Sequence, residues 1–310
     1  MKANAVAGLE MGEATHSNGG SRRLSGRDYT TSSGMVGKAH RATTVDWAYD
    51  GKMVDVKDQG SCGSCWSFAA LTALEGTIAV KTGKDPVHLS EQQIVDCTLS
   101  SDPRNKQRFG KDYKAHGCNG GWMSHAWDFI HDQGAMTDAD YPYNAKENAC
   151  AHNENKTVAN VKEHGRITST IEDVKAKLRE QPLAIALDAS RPAFQFYKSG
   201  VVKESDNCGT QLNHAVTLVG YSDKDDEVKP EPEPTPTPSG EFMVTKWWHN
   251  EGSKVNGGRL HADEQGLTNY WKIQNSWSKN WGDQGFIRIE ITGGQGVCAM
   301  NQAIEWVDAL

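Results

Sequence analysis

The 310-residue chain has no apolar run of transmembrane length, which excludes an obvious membrane-spanning helix. Met1 to Gly20 lacks the apolar stretch of a secretory leader. No second Cys-x-x-Cys accompanies the one at Cys62–Cys65, and Cys97 and Cys118 are too far apart to supply one, which argues against a structural zinc site. No βαβ pattern surrounds that pair, which argues against a thioredoxin-like redox motif. There is no basic stripe with interleaved aromatics, and the net charge is −7, so nothing points to nucleic acid. What the chain does have is 37% apolar residues, enough for one large core or two smaller ones. It also has seven cysteines, an odd number.

The densest information lies in Gln59-Gly60-Ser61-Cys62-Gly63-Ser64-Cys65-Trp66-Ser67-Phe68. A Gly/Ser-rich turn leads into an apolar stretch, Trp66 to Val80, with few breaks and helix-forming Ala and Leu. This predicts a buried helix ending near Gly83, with Cys65 in its first turn. A helix N-terminus favours thiolate over thiol, and the thiolate is the nucleophile.

Two further constellations lie downstream. Leu212-Asn213-His214-Ala215-Val216 sets a histidine just before a strand-like run, and Ile273-Gln274-Asn275-Ser276-Trp277 sets an asparagine before a tryptophan. A cysteine nucleophile needs both types. An imidazole takes the thiol proton and later protonates the leaving amine. A neutral amide oxygen can accept the ring's other N–H and hold its orientation. Alone, His214 reads as a structural histidine and Asn275 as a turn residue; in the order Cys…His…Asn they read together.

These motifs resemble the papain family of cysteine peptidases, and the resemblance covers about residues 44–221 and 270–305. It implies an α+β papain-like fold of two domains with the active-site cleft between them. The helical left domain, about 44–155, carries the nucleophile. The β-rich right domain, about 156–310, carries His214 and Asn275. Residues 1–43 are Gly/Ser/Thr-rich and read as an N-terminal extension or propeptide remnant. The spacing from Cys65 to His214 fits the family, but Asn275 lies well beyond the usual distance. The excess falls in an insertion, 222–269, holding a Pro/Glu run at 230–238 and Trp247-Trp248. The run reads as an extended spacer. Trp247 and Trp248 are read as part of a hairpin folding back on the right domain, with a docking arm as the alternative.

The resemblance assigns roles to catalytic Cys65, His214, Asn275 and Gln59. The Gln59 amide and the Cys65 N–H would form the oxyanion hole, and two fixed donors there suit the developing charge. Trp277 would shield the His–Asn hydrogen bond. Gly120 and Gly121 would pair with an extended substrate backbone, which their missing side chains permit. Trp122, Met123, Ala186, Leu212, Asn213, Ala215 and Ala303 would line the pocket for the side chain two residues before the scissile bond. None is charged, so the pocket resembles that of the cathepsin L branch, and no exopeptidase loop follows the glycines. Six cysteines would pair as Cys62–Cys118, Cys97–Cys150 and Cys208–Cys298, leaving Cys65 free. Such disulfides imply a secretory route, so the chain is expected to start inside a longer precursor and to act in a lysosome or other acidic vacuole, or outside the cell.

The function implied is a cysteine endopeptidase acting on protein and peptide substrates, open to cystatin-type inhibitors. It is expected to be a monomer with no cofactor, metal, membrane or nucleic-acid partner. The competing class is a catalytically silent papain-like binding protein. Asn155-Lys156-Thr157 is a glycosylation sequon. The loop Thr98 to Gly117 carries Arg104, Lys106, Arg108, Lys111 and Lys114 and reads as solvated surface, with docking of an acidic partner as the sharper alternative.

Overall fold

The computed structural model describes residues 44–223 and 269–309. The N-terminal extension and the greater part of the insertion, with its Pro/Glu run, Trp247 and Trp248, lie outside the described residues. The described residues begin with strand β1 (Thr44–Asp46), followed by helices α1 (Cys65–Thr82), α2 (Glu91–Cys97), α3 (Pro103–Phe109) and α4 (Met123–Gln133). Short strands β2 (Ala135–Met136) and β3 (Thr157–Ala159) pair with each other. There follow β4 (Val161–Ile167), α5 (Ile171–Leu178), β5 (Leu183–Leu187), α6 (Pro192–Gln195), β6 (His214–Ser222), β7 (Tyr270–Gln274), β8 (Phe286–Glu290) and β9 (Ala303–Ala309).

Helix α1 forms where the Ala/Leu-rich run predicts it and stops at Gly83, whose φ of 70° gives the left-handed cap that glycine supplies without strain. It is buried on nearly every side, so it is a central rather than a surface helix. Its Leu71 and Leu74 share a core with Trp127, Phe129 and Ile130 of α4, and the Trp127 indole donates to the Ala70 carbonyl at 3.0 Å. A second core lies within the sheet around Trp271, Ile273, Ile287 and Phe194. Burying each such side chain is worth roughly 2–3 kcal/mol.

The main sheet is antiparallel in the order β4-β9-β5-β6-β7-β8. Strand β1 joins it too, pairing with β6 through Thr44↔Ser222 and Asp46↔Gly220. The sequence reading had grouped β1 with the helical half. The close approach explains Gly220: a Cβ there would run into the Val45 carbonyl oxygen. Strands β6 and β7, which flank the insertion, are direct neighbours, with Ser222 opposite Tyr270.

The basic loop contains a helix that the sequence reading left out. Asp102 caps α3 by accepting from the Arg104 N–H at 3.0 Å, Pro103 opens it and Gly110 (φ 69°) closes it. Its charges are largely spent within the chain. Arg104 grips Asp102, Arg108 donates to the carbonyls of Cys150 and His152, and Lys111 reaches Asp132 at 2.8 Å. That supports the solvated-surface reading. Asn155 is exposed in the short turn Glu154–Lys156.

Candidate active site

Cys65 is the first residue of α1. The chain before it is irregular and is fixed from outside. The Cys62–Cys118 disulfide spans 4.6 Å between Cα atoms, and Gly63 donates to the Cys118 carbonyl at 2.9 Å. Cys97–Cys150 and Cys208–Cys298 are also bonded, and Cys65 alone is free. Ser64, at the N-cap, does not cap with its side chain; its hydroxyl bonds the Tyr143 hydroxyl at 2.7 Å. No acidic side chain sits in the first turn, so the helix end keeps its positive character at the sulfur. The main-chain N–H groups of Cys65, Trp66 and Ala215 bear on that sulfur.

The sheet supplies the other half. His214 opens β6, and Asn275 follows directly on β7, so antiparallel pairing brings both to one end of the sheet. The His214 Nε2 and the Asn275 Oδ1 are 2.8 Å apart. With Nε2–H donating, Nδ1 is left to take a proton. Trp277 lies over the His214 ring with centroids 4.7 Å apart, and Phe194 meets that ring edge-on at 5.9 Å. His214 and Asn275 are both buried. The Asn275 Oδ1 also accepts from the Ser276 N–H at 2.8 Å.

Ser276 ties the two halves together. Its carbonyl accepts from the Gln59 N–H at 2.9 Å and its hydroxyl donates to the Gln59 Oε1 at 2.7 Å. The Gln59 Nε2 donates to the Cys62 carbonyl at 3.0 Å, which uses one of its two protons. Tyr143 donates to the Gln59 carbonyl at 2.9 Å. The sequence reading missed Ser276, Tyr143 and Phe194. Ser276 stood between two residues already singled out, and its neighbours were the only signal.

Burial pushes the Cys65 thiol up to about 11, against the pull of the three N–H groups. Burial likewise pushes His214 down to about 4, against the hydrogen bond to Asn275. Both shifts favour a neutral thiol beside a neutral imidazole. Burial thus opposes the helix end at the sulfur, and a thiolate comes with passage of the proton to His214, so that the two charges stabilise each other.

The other predicted residues gather nearby. Ala303, Ala186 and Ala215 form one row across β9, β5 and β6, with Ala186 opposite both others, and all are buried. Met123 is buried at the start of α4 and Trp122 caps that helix half-exposed, with the Arg166 guanidinium over its ring at 5.5 Å. Leu212 is half-buried. Asn213 is spoken for: it donates to the buried Asp188 at 3.0 Å and accepts from the Ala189 N–H at 2.9 Å. The glycines have structural reasons of their own. Gly120 holds φ 111°, and a Cβ on Gly121 would lie 2.6 Å from the Trp66 ring. Among the described residues no group of three or more His, Cys, Asp or Glu is arranged to hold a metal.

The family described as papain family cysteine protease matches residues 41–306. The chain belongs to the papain family. It is 36% identical over 262 residues to vignain of Phaseolus vulgaris, covering 83% of this chain and 57% of that protein. It is 32% identical over 263 residues to zingipain-2 of Zingiber officinale, covering 84% and 93%. The chain therefore spans little more than half the length of vignain and most of zingipain-2. Among solved papain-family structures it is similar to bromelain of Ananas comosus in complex with the E64 inhibitor, with TM-score 0.64 and 29% identity over 86% of this chain and 99% of that one. It is also similar to the ragweed pollen allergen Amb a 11 in its proform, with TM-score 0.65 and 28% identity over 87% and 67%. The α+β papain-like fold is thus the fold of this chain.

Proposed function

We propose that the protein is a cysteine endopeptidase that cleaves peptide bonds through an acyl-thioester on Cys65. The observation that carries this reading is the 2.8 Å His214–Asn275 bond at the sheet end beside the sulfur-facing Ala215 N–H. The Cys65 proton passes to the His214 Nδ1 and the sulfur attacks the scissile carbonyl carbon. The oxyanion takes hydrogen bonds from the Cys65 N–H and the remaining Gln59 Nε2 proton. The imidazolium protonates the leaving amine as the C–N bond breaks. His214 then takes a proton from water, the hydroxide displaces the sulfur from the acyl carbon, and the thiol re-forms. The left and right domains of the sequence reading would each contribute two of the four groups.

The all-alanine row supports a preference for Leu or Phe two residues before the cleaved bond. Gly120 and Gly121 are read as the backbone partner of an extended substrate. Protein substrates and cystatin-type inhibitors fit this site, and three disulfides support action in an acidic vacuole or outside the cell. The competing reading, a silent papain-like binding protein, would need one of the four groups to be misplaced.

Titration with an irreversible epoxide, followed by peptide hydrolysis, separates the two. One equivalent should label Cys65, and Cys65→Ala should lose turnover by ~10⁴-fold or more while still binding peptide. The rate should be bell-shaped in pH. It falls at low pH as the thiolate of the Cys65–His214 couple is protonated, and at high pH as the imidazolium is lost. An unlabelled Cys65 and a fully folded, inactive protein would leave the binding-protein reading standing.

A further inference from the structure

We propose that one buried water molecule holds the Asn275 amide from behind, and that Gln274 and Thr217, which hold that water, are positioning residues for the His214–Asn275 pair. The inference rests on the peptidase reading above and extends the machinery one layer inward.

The hydrogen bonds fix which end of each amide faces where. The Asn275 Oδ1 meets two donors, the His214 Nε2–H and the Ser276 N–H, both at 2.8 Å. Its Nδ2 is left on the far side of the group, buried and with no partner among the described residues. Gln274 is locked in the same way. Its Nε2 donates to the Val54 carbonyl at 3.0 Å, and its Oε1 is buried with no partner among the described residues. Neighbouring residues thus present an unpaired donor and an unpaired acceptor in the interior, where each is costly alone.

Both residues line one cavity of about 10 Å³ at the seam between the two halves. Thr217 stands directly opposite Gln274 in the β6–β7 register, so the two share a face of the sheet. Phe68, Ala69 and Thr72 of α1 close the other side. That space is roughly the room of a single water molecule. The Thr217 hydroxyl lies 3.4 Å from the Ala69 carbonyl, and its oxygen is still able to accept. The water accepts from the Asn275 Nδ2–H and donates one proton to the Gln274 Oε1 and the other to the Thr217 Oγ1. About three partners is the usual number for a buried water.

The terminal torsion of an asparagine is soft, so contacts at both ends of the amide are what set its plane. With Nδ2 held, Oδ1 stays in line with the His214 Nε2–H. That bond favours the imidazolium. Loss of the water frees the amide to turn, which weakens the hold on the imidazolium and moves the alkaline limb of the pH profile to lower pH.

Two measurements test this. A crystal structure of the native protein, at a resolution that shows ordered waters, should place one within about 3.2 Å of the Asn275 Nδ2, the Gln274 Oε1 and the Thr217 Oγ1. Steady-state kinetics on a dipeptidyl amide then read the role. Thr217→Val keeps the shape and removes one acceptor. It should lower kcat about fivefold, the worth of one neutral hydrogen bond, with KM nearly unchanged and the alkaline limb displaced downward. Thr217→Ser restores a hydroxyl and should restore the native profile. Gln274→Met should behave like Thr217→Val; if it does not fold, the two threonine variants decide the matter. No water at the site, a native profile in Thr217→Val, or a loss that Thr217→Ser shares would overturn the proposal. A native protein that holds the water yet cleaves no peptide would overturn the peptidase reading, and the positioning role with it, while the water site stands.

Discussion

The helical and sheet halves hold their reactive groups by different means. Cys65 and Gln59 come from irregular chain and a helix end, fixed by a disulfide, by Tyr143 and by single hydrogen bonds. His214 and Asn275 come from adjacent strands whose register is set along the length of β6 and β7. Strand pairing distributes the work of positioning over many bonds, and one loss shifts little. The loop side rests on few contacts, so a single loss there is felt directly. Both halves bury charge: the sheet holds Lys272 against Asp46 at 2.7 Å, and the helical half holds Lys57 between two carboxylates, Glu75 at 2.7 Å and Glu91 at 2.5 Å.

The largest effect expected from breaking this arrangement is on catalysis. Gln59→Ala removes a side-chain oxyanion donor and the anchor on Ser276, and should cost ~10²–10³ in kcat with little change in KM. Asn275→Ala leaves the strand register intact, so His214 stays near its place but loses its orienting partner. It should cost less than Gln59→Ala and should narrow the bell-shaped pH profile. Steady-state kinetics on one dipeptidyl amide would compare them. A larger loss in Asn275→Ala would show that the sheet does not hold His214 as described.

A smaller effect concerns stability, and it belongs to the helical half. Burial pushes Glu91 up to about 7; Lys57 opposes this and the Glu75 charge adds to it. The folded pKa thus lies above the unfolded value near 4.5. The native state holds the proton more tightly, so stability is full below about pH 4.5 and falls as the pH rises towards 7. The loss should be about 3 kcal/mol at most. Glu91→Gln should flatten it, as read by urea melts at pH 4.5 and 7.5. A variant with the native protein's pH dependence would exclude Glu91 as its source. Since Glu91 opens α2, next to the Ser90 cap, the melt would report on the helical half first.

Much of the site was legible because its chemistry needs specific residue types in chain order. Gln59, Cys65, His214 and Asn275 could be named from three short motifs, and α1 from its apolar run. The residues that escaped are those whose meaning depends on folding. Ser276 matters because β7 delivers it to Gln59, and Tyr143 because its loop crosses back to Ser64. The balance of desolvation against the helix end at Cys65 could not be read at all, since burial is a property of the packed molecule. Helix α3 escaped because its basic residues drew attention to charge rather than to Asp102-Pro103, which start it, and Gly110, which ends it.

The smallest effect should come from the insertion. Ser222 and Tyr270 are paired neighbours, so the strands meet whatever connects them. His214 lies at the opposite end of β6, eight residues from Ser222, roughly 26 Å at the rise of a strand. Closure cost grows slowly with loop length, so a shorter connection should change stability by about 1 kcal/mol or less. Residues 224–268 can therefore be replaced by a short Gly-containing turn. Asp223 is kept because it pairs with Lys175 at 2.7 Å. Turnover of a dipeptidyl amide should stay within about twofold, because register and not loop content sets the His214–Asn275 distance. Cleavage of a folded protein substrate is the measurement in which Trp247 and Trp248, if they dock a partner, would make themselves felt. A shortened protein that folds, keeps its disulfides and cannot cleave the amide would mean that the sheet half, too, depends on a single external contact, and the contrast between the halves would fail.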